Sequence, residues 1–268
     1  MTFSLQGRTA IVTGAAHGIG QAIVRHFLDK GANVMCVDCD DGALEDRMSD
    51  LDAVNGPVRL FHGDICEKLS MANLLSATVD SFERVDILVN AHRLMKSSDP
   101  LDTDPGLLDE MLRQNTVSVL RLSQMVAKRM IRQAEGQDDP VQAGAIVNLS
   151  SLAALRPVPS LLGYSVASAA QEQATRALAL ALAPHRIRVN GVRFSSVMSH
   201  ELQLALKEDG ALRGQIVAGT PLGRIAPPEE VAEAVHYLAS EGARFITGEI
   251  VTVDGGRGLA DPVTALAI

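Results

Sequence analysis

The sequence predicts an α/β protein: one doubly wound sheet of about seven parallel strands with helices on both faces, formed by residues 1–268 as a single domain. Three observations predict it. Short apolar runs rich in β-branched residues alternate with amphipathic stretches, a glycine-rich turn follows the first run directly, and no linker or internal repeat breaks the alternation. Strands covered on both faces read as continuous apolar runs, and strand–helix alternation implies right-handed crossovers around a parallel sheet.

The strand runs are TAIVTG (9–14), NVMCVD (33–38), VRLFHG (58–63), VDILVNA (85–91), GAIVNLSS (144–151), IRVNGV (187–192) and GEIVTVDG (248–255). Helical spacing fills the intervals at 19–30, 41–53, 67–83, 106–133, 162–183 and 228–240. The polar stretch 134–144, punctuated by Pro140 and Gly144, reads as a surface loop. A longer mixed region at 193–226 carries one short helical pattern near 199–207. Excursions of that length at one end of a doubly wound sheet usually shape a ligand pocket.

Composition narrows the function. Of the 268 residues, 47% are hydrophobic and 21% charged, the balance of a globular protein, and the formal charge of −8 disfavours nucleic acid or an anionic membrane as a partner. The start of the chain shows no basic segment followed by a long apolar run, and no membrane-spanning stretch occurs, so a cytoplasmic location is expected. Cys36, Cys39 and Cys66 lack partners at metal-ligand spacing and read as reduced thiols, with no metal expected.

The first strand ends in TGAAHGIG, with Gly14, His17, Gly18, Ile19 and Gly20 leading into the first helix. Glycines there let the backbone approach a pyrophosphate, which rests on the amide-rich helix N-terminus. The spacing G-x-x-x-G-x-G differs from the commoner dinucleotide fingerprint, and a ligand-free glycine turn is the alternative. Asp38, closing the second strand, can accept from the hydroxyls of an adenosine ribose and repel a 2′-phosphate, favouring NAD over NADP. An ordinary strand-end turn is its alternative. Asp64, at the end of the third strand, could face the adenine edge or simply serve a turn.

With TGAAHGIG, Asp38, Asp64-Ile65, DILVNA, Asn115, NLSS, Tyr164, IRVNGV and GEIVTVDGG in this order, the chain resembles the short-chain dehydrogenase/reductase family from about residue 5 to 258. The resemblance implies a Rossmann-type fold and NAD-dependent oxidation or reduction of a small organic alcohol or carbonyl. It places Gly14, His17, Gly18, Ile19, Gly20, Asp38, Asp64, Ile65 and Asn90 at the cofactor. Ser151 would hold the substrate oxygen and Tyr164, thirteen residues on, would pass it a proton, with Asn115 assisting from an earlier helix.

The same resemblance exposes three departures. Ser168 stands where the family has a lysine, four residues after the tyrosine. A cation about 5 Å from a phenolate is worth about 3 kcal/mol at an effective dielectric near 20, and a serine supplies none of it. Well-matched general acid–base groups contribute typically 10²- to 10⁴-fold, so the departure bears directly on turnover. His92-Arg93 replaces the family's Ala-Gly, and Phe194-Ser195 replaces its Pro-Gly. All three lie at the nicotinamide end.

Two readings follow. In one, the chain is an active oxidoreductase in which His92, Arg93 or Arg193 supplies the missing cation. In the other, it is a catalytically inactive homologue kept as a nucleotide-binding or structural and regulatory subunit; in a harsher version His92, Arg93 and Phe194 fill the nicotinamide pocket and no dinucleotide binds at all. The small-residue-rich helix at 162–183 suits close packing with a second copy, and the resemblance implies a homodimer or homotetramer. The apolar tail from 258 is expected against a neighbour. Pocket walls at 155–163 and 194–222, with Arg156, His200 and Glu201 nearby, suit a modest organic substrate.

Overall fold

A computed structural model describes residues 3–48, 50–51, 56–103, 106–136 and 142–260. Seven strands form one sheet in the order β3-β2-β1-β4-β5-β6-β7, and every neighbouring pair is parallel. They are β1 (Thr9–Thr13), β2 (Asn33–Asp38), β3 (Val58–His62), β4 (Ile87–Asn90), β5 (Gly144–Ser151), β6 (Ile187–Phe194) and β7 (Ile250–Val253). The helices are α1 (Gly18–Asp29), α2 (Asp41–Met48), α3 (Lys68–Phe82), α4 (Gly106–Leu112), α5 (Ser118–Ala134), α6 (Leu162–Leu182), α7 (His200–Glu208), α8 (Leu212–Ala218) and α9 (Pro228–Ala239).

Side-chain alternation divides the core between the two faces of the sheet. Val12, Val34, Val89, Val147 and Val192 pack with Ile23 and Phe27 of α1 and Val231 and Val235 of α9. Ile11, Met35, Leu88, Ile146 and Val189 pack on the other face with Leu74 of α3, Val126 of α5 and Leu178 of α6. All five residues of β1 are buried, which explains why its sequence is a continuous apolar run rather than an alternation. Chain order reverses between β1 and β4, and the crevice at the carboxyl ends of those strands is where open α/β sheets bind ligands.

Three elements differ from the sequence expectation. The helix expected at 106–133 is interrupted by a π-helical turn, Arg113–Val117. Within it Asn115 ties its side chain to both polar groups of the Leu94 backbone, accepting from Leu94 N–H (2.7 Å) and donating to Leu94 C=O (2.8 Å). A side-chain demand of this kind is a recognised cause of a local break in the helical ladder. Helix α2 ends at Met48 rather than 53, and α8 is an additional short helix that carries Gly214 in its interior. Pro140, the tail beyond 260 and the side chains of His200 and Glu201 lie outside the described residues. No helix among the described residues is long and apolar enough to cross a membrane.

Candidate active site

A cleft of about 330 Å³ opens at the chain reversal. Its floor is the loop between β1 and α1, with Gly14, His17, Gly18, Ile19 and Gly20 all on its lining. Two of these glycines are required by space. Gly14 has φ +69°, and a Cβ there would sit 2.8 Å from the backbone of His92; a Cβ on Gly20 would collide with the Gly14 carbonyl. His17 occupies the position before α1 without capping it, leaving the first amides of the helix for an anion.

Asp38 lines the same cleft. Its Oδ2 accepts from the Ala16 amide (3.0 Å), and its Oδ1 accepts from the amides of Cys39 (2.8 Å) and Asp40 (3.2 Å). The carboxylate thus fixes the glycine loop against the end of β2 while presenting negative charge to the cleft. Asp64 and Ile65 do not reach it. The Asp64 carboxylate accepts from the Cys66 amide (2.8 Å) in a turn, and Ile65 is buried with Met71 and Leu74. Asn90 is likewise inside the protein. Its Nδ2 donates to Asn148 Oδ1 (2.8 Å) and Ser123 Oγ (3.2 Å), because the alternation of β4 turns it toward α5 and α6.

The far wall of the cleft is built by the departures from the family pattern. His92 is held on both ring nitrogens: Nδ1 lies 2.7 Å from Thr13 Oγ1, and Nε2 lies 3.1 Å from the Gln114 carbonyl and 3.0 Å from Ser118 Oγ. A carbonyl can only accept, so Nε2 carries the proton and Nδ1 accepts from the threonine. Burial pushes the His92 pKa down to about 4, against smaller upward pulls from the Gln114 carbonyl and from Asp38 and Asp64. His92 is therefore a neutral brace between β1 and α5 at neutral pH, not a replacement cation.

Arg93 lies over the ring of Phe194, its Cζ 5.0 Å from the centroid. Such cation–π contacts are worth about 0.5 to 2 kcal/mol, more when desolvated. Phe194 is only 7% exposed, and its strand β6 pairs with β5 and β7 on either side. Arg193, the third candidate cation, is engaged elsewhere. Its Nε and Nη2 grip Glu172 of α6 at 2.8 and 2.5 Å, and Ser150 Oγ donates to the same carboxylate at 2.9 Å. Removing one partner of a buried, bidentate pair is strongly destabilising, so Arg193 is not available to turn toward Tyr164.

Behind Arg93 and Phe194 lies a second cavity of only about 10 Å³, lined by Asn115, Ser150, Tyr164, Ser168 and Gln171. Ala91, His92, Arg93, Leu149 and Phe194 line both spaces and so form the partition between them. Space of this size holds about one water molecule. Tyr164 and Ser168 are 4% and 3% exposed, one helical turn apart on α6. Ser151 does not line the small cavity; its Oγ accepts from the Ala153 amide (3.2 Å) and caps the short turn after β5. The structure thus brings Asn115, Tyr164 and Ser168 together, and sets the glycine loop and Asp38 in a separate compartment. Gln114, Leu149 and Asp40, which no sequence motif marks, also line the cleft, as does Cys39; all lie at or just beyond the carboxyl ends of strands or at the π-helical turn.

A parallel sheet with a glycine-rich turn at its reversal point and an acid closing β2 is the arrangement of a Rossmann-type fold. The chain belongs to the short-chain dehydrogenase/reductase family: residues 14–257 match the family described as Enoyl-(Acyl carrier protein) reductase. It is 28% identical over 252 residues to the 3-oxoacyl-[acyl-carrier-protein] reductase FabG of Thermotoga maritima, covering 94% of this chain and 98% of that one. It is 33% identical to the galactitol 2-dehydrogenase (L-tagatose-forming) of Cereibacter sphaeroides, covering 95% and 96% of the two chains. A short-chain type dehydrogenase/reductase from Mycobacterium marinum superposes with a TM-score of 0.83 at 25% identity, covering 96% of this chain and 97% of that structure.

Proposed function

We propose that this chain is an NAD-class member of the family, descended from enzymes that exchange hydride with a small organic alcohol or carbonyl, in which nucleotide binding is kept and hydride transfer is impaired. The partition between the cleft and the Tyr164 cavity carries this reading. The adenosine and pyrophosphate half of a dinucleotide fits the residues present: Gly14 and Gly20 leave the space a backbone-hugging phosphate needs, and Asp38 offers acceptors to a ribose diol. The nicotinamide half does not fit, because about 10 Å³ beside Tyr164 cannot receive a ring and a ribose. Tyr164, Asn115 and Ser151 occupy the family's catalytic positions without an adjoining lysine.

The Cereibacter and Thermotoga relatives, by name a galactitol dehydrogenase and an oxoacyl reductase, support an ancestral substrate with a secondary alcohol or ketone. The same partition favours a second reading, a nucleotide-binding subunit that performs no turnover and acts through a second copy or another protein. Calorimetric titration of cofactor-free protein with NADH and NADPH tests what the two readings share. Saturable NADH binding, at least about tenfold tighter than NADPH, is expected from the Asp38 carboxylate, a difference of about 1.4 kcal/mol. Preference for NADPH, or no binding at millimolar NADH, contradicts both.

A further inference from the structure

We propose that the natural ligand chemistry of the cleft is that of ADP-ribose, an adenosine and a pyrophosphate with at most a terminal ribose, and that the nicotinamide of a bound dinucleotide contributes nothing to affinity. This rests on the nucleotide-binding reading above and goes further, because it assigns the ligand by where the cleft stops. The cleft is lined by Asp38, Cys39 and Asp40, by the glycine loop and by Phe194 and Ser199, whereas Tyr164 and Ser168 line only the small cavity.

The end wall is braced from three directions. Phe194 is fixed within β6, whose neighbours β5 and β7 pair with it on both sides. The backbone just after Arg93 is clamped by both polar groups of the Asn115 side chain, and the residue before it, His92, is bonded to Thr13 on one side and Gln114 on the other. The backbone that carries the wall is thus fixed on both sides, and the Arg93 guanidinium covers it by lying over the Phe194 ring. The wall leaves the floor amides and Asp38 open to a nucleotide diphosphate while closing the path to Tyr164. Asp38 and Asp40 together place negative charge at the ribose end, which disfavours a ligand with a 2′-phosphate there.

The test is a set of calorimetric titrations with ADP-ribose, ADP and NADH on the wild-type protein and on Arg93→Gly. In the wild type, ADP-ribose and NADH are expected to bind within about threefold of one another, since affinity built from one half of a ligand does not grow with the other half. In Arg93→Gly, NADH affinity should rise at least about tenfold relative to ADP-ribose as the partition loses its cover. Phe194→Val tests the other half of the stack and guards against a loop rearrangement peculiar to the glycine variant. Wild-type NADH binding at least about tenfold tighter than ADP-ribose overturns the closed end while leaving nucleotide binding intact. Failure of all three nucleotides to bind overturns the nucleotide reading itself, and this inference with it.

Discussion

Replacing Ser168 with lysine leaves turnover within about threefold of the wild type, whereas Ser168→Lys combined with Arg93→Gly and Phe194→Val raises it at least about 100-fold, the lower end of what a matched acid–base group contributes. The reason is spatial before it is electronic. A lysine adds several heavy atoms to a position that borders about 10 Å³ of space, and overpacking a filled site costs about 1 to 3 kcal/mol. A nicotinamide can enter once the Arg93–Phe194 stack is broken, and the lysine can extend fully only when both of its members are cut back. The measurement is NADH consumption against a panel of short-chain ketones, aldehydes and keto sugars, with NADH binding and thermal unfolding recorded for each variant. A rise of about 100-fold in the single variant would show that the partition opens unaided, and a folded, NADH-binding triple variant without activity would remove the oxidoreductase ancestry from the site's chemistry.

The second large effect is on stability in acid. His92 has its folded pKa lowered to about 4 from a free value of 6.5, so its contribution is present above about pH 6.5 and is lost as the pH falls toward 4. Between pH 7 and pH 5 that loss amounts to about 2 kcal/mol. His26 and His236, hydrogen-bonded to one another at 3.0 Å between α1 and α9, also have lowered pKa values, chiefly through burial, and add to acid sensitivity of the whole protein. The comparison that isolates His92 is therefore urea unfolding of the wild type and His92→Gln at both pH values. The gap between them should narrow by about 2 kcal/mol on acidification as the wild type loses what the variant never had. Parallel pH profiles would mean that the ring is not confined between Thr13 and Gln114 as described.

Much of the fold was written in runs such as TAIVT and ILVN, because a strand buried on both faces admits almost nothing else. The glycine loop and Asp38 were legible for a similar reason: backbone approach and a strand-end acid each demand a particular residue at a particular place. What escaped was decided by contacts between residues remote in sequence. The sequence offers Arg193 as a spare cation, but Glu172, on a different element, holds it. Nothing in a linear reading of His92 reveals that Thr13 and Gln114 occupy both of its nitrogens while burial keeps it neutral. Asn90 carries a motif associated with cofactor, yet the pleat of β4 sends it into the core. The π-helical turn at 113–117 depends on Asn115 meeting Leu94, a partner the helical pattern could not show.

The separation of the nucleotide cleft from the Tyr164 cavity is tested most directly by saturation-transfer NMR on NAD+ in exchange with the wild-type protein. The adenine and adenosine-ribose protons should receive strong saturation, and the nicotinamide protons about one-fifth of it or less, as expected when only one half of the ligand is enclosed. Equal saturation of the nicotinamide and adenine protons would place both halves inside the protein and contradict the closed partition at Arg93 and Phe194.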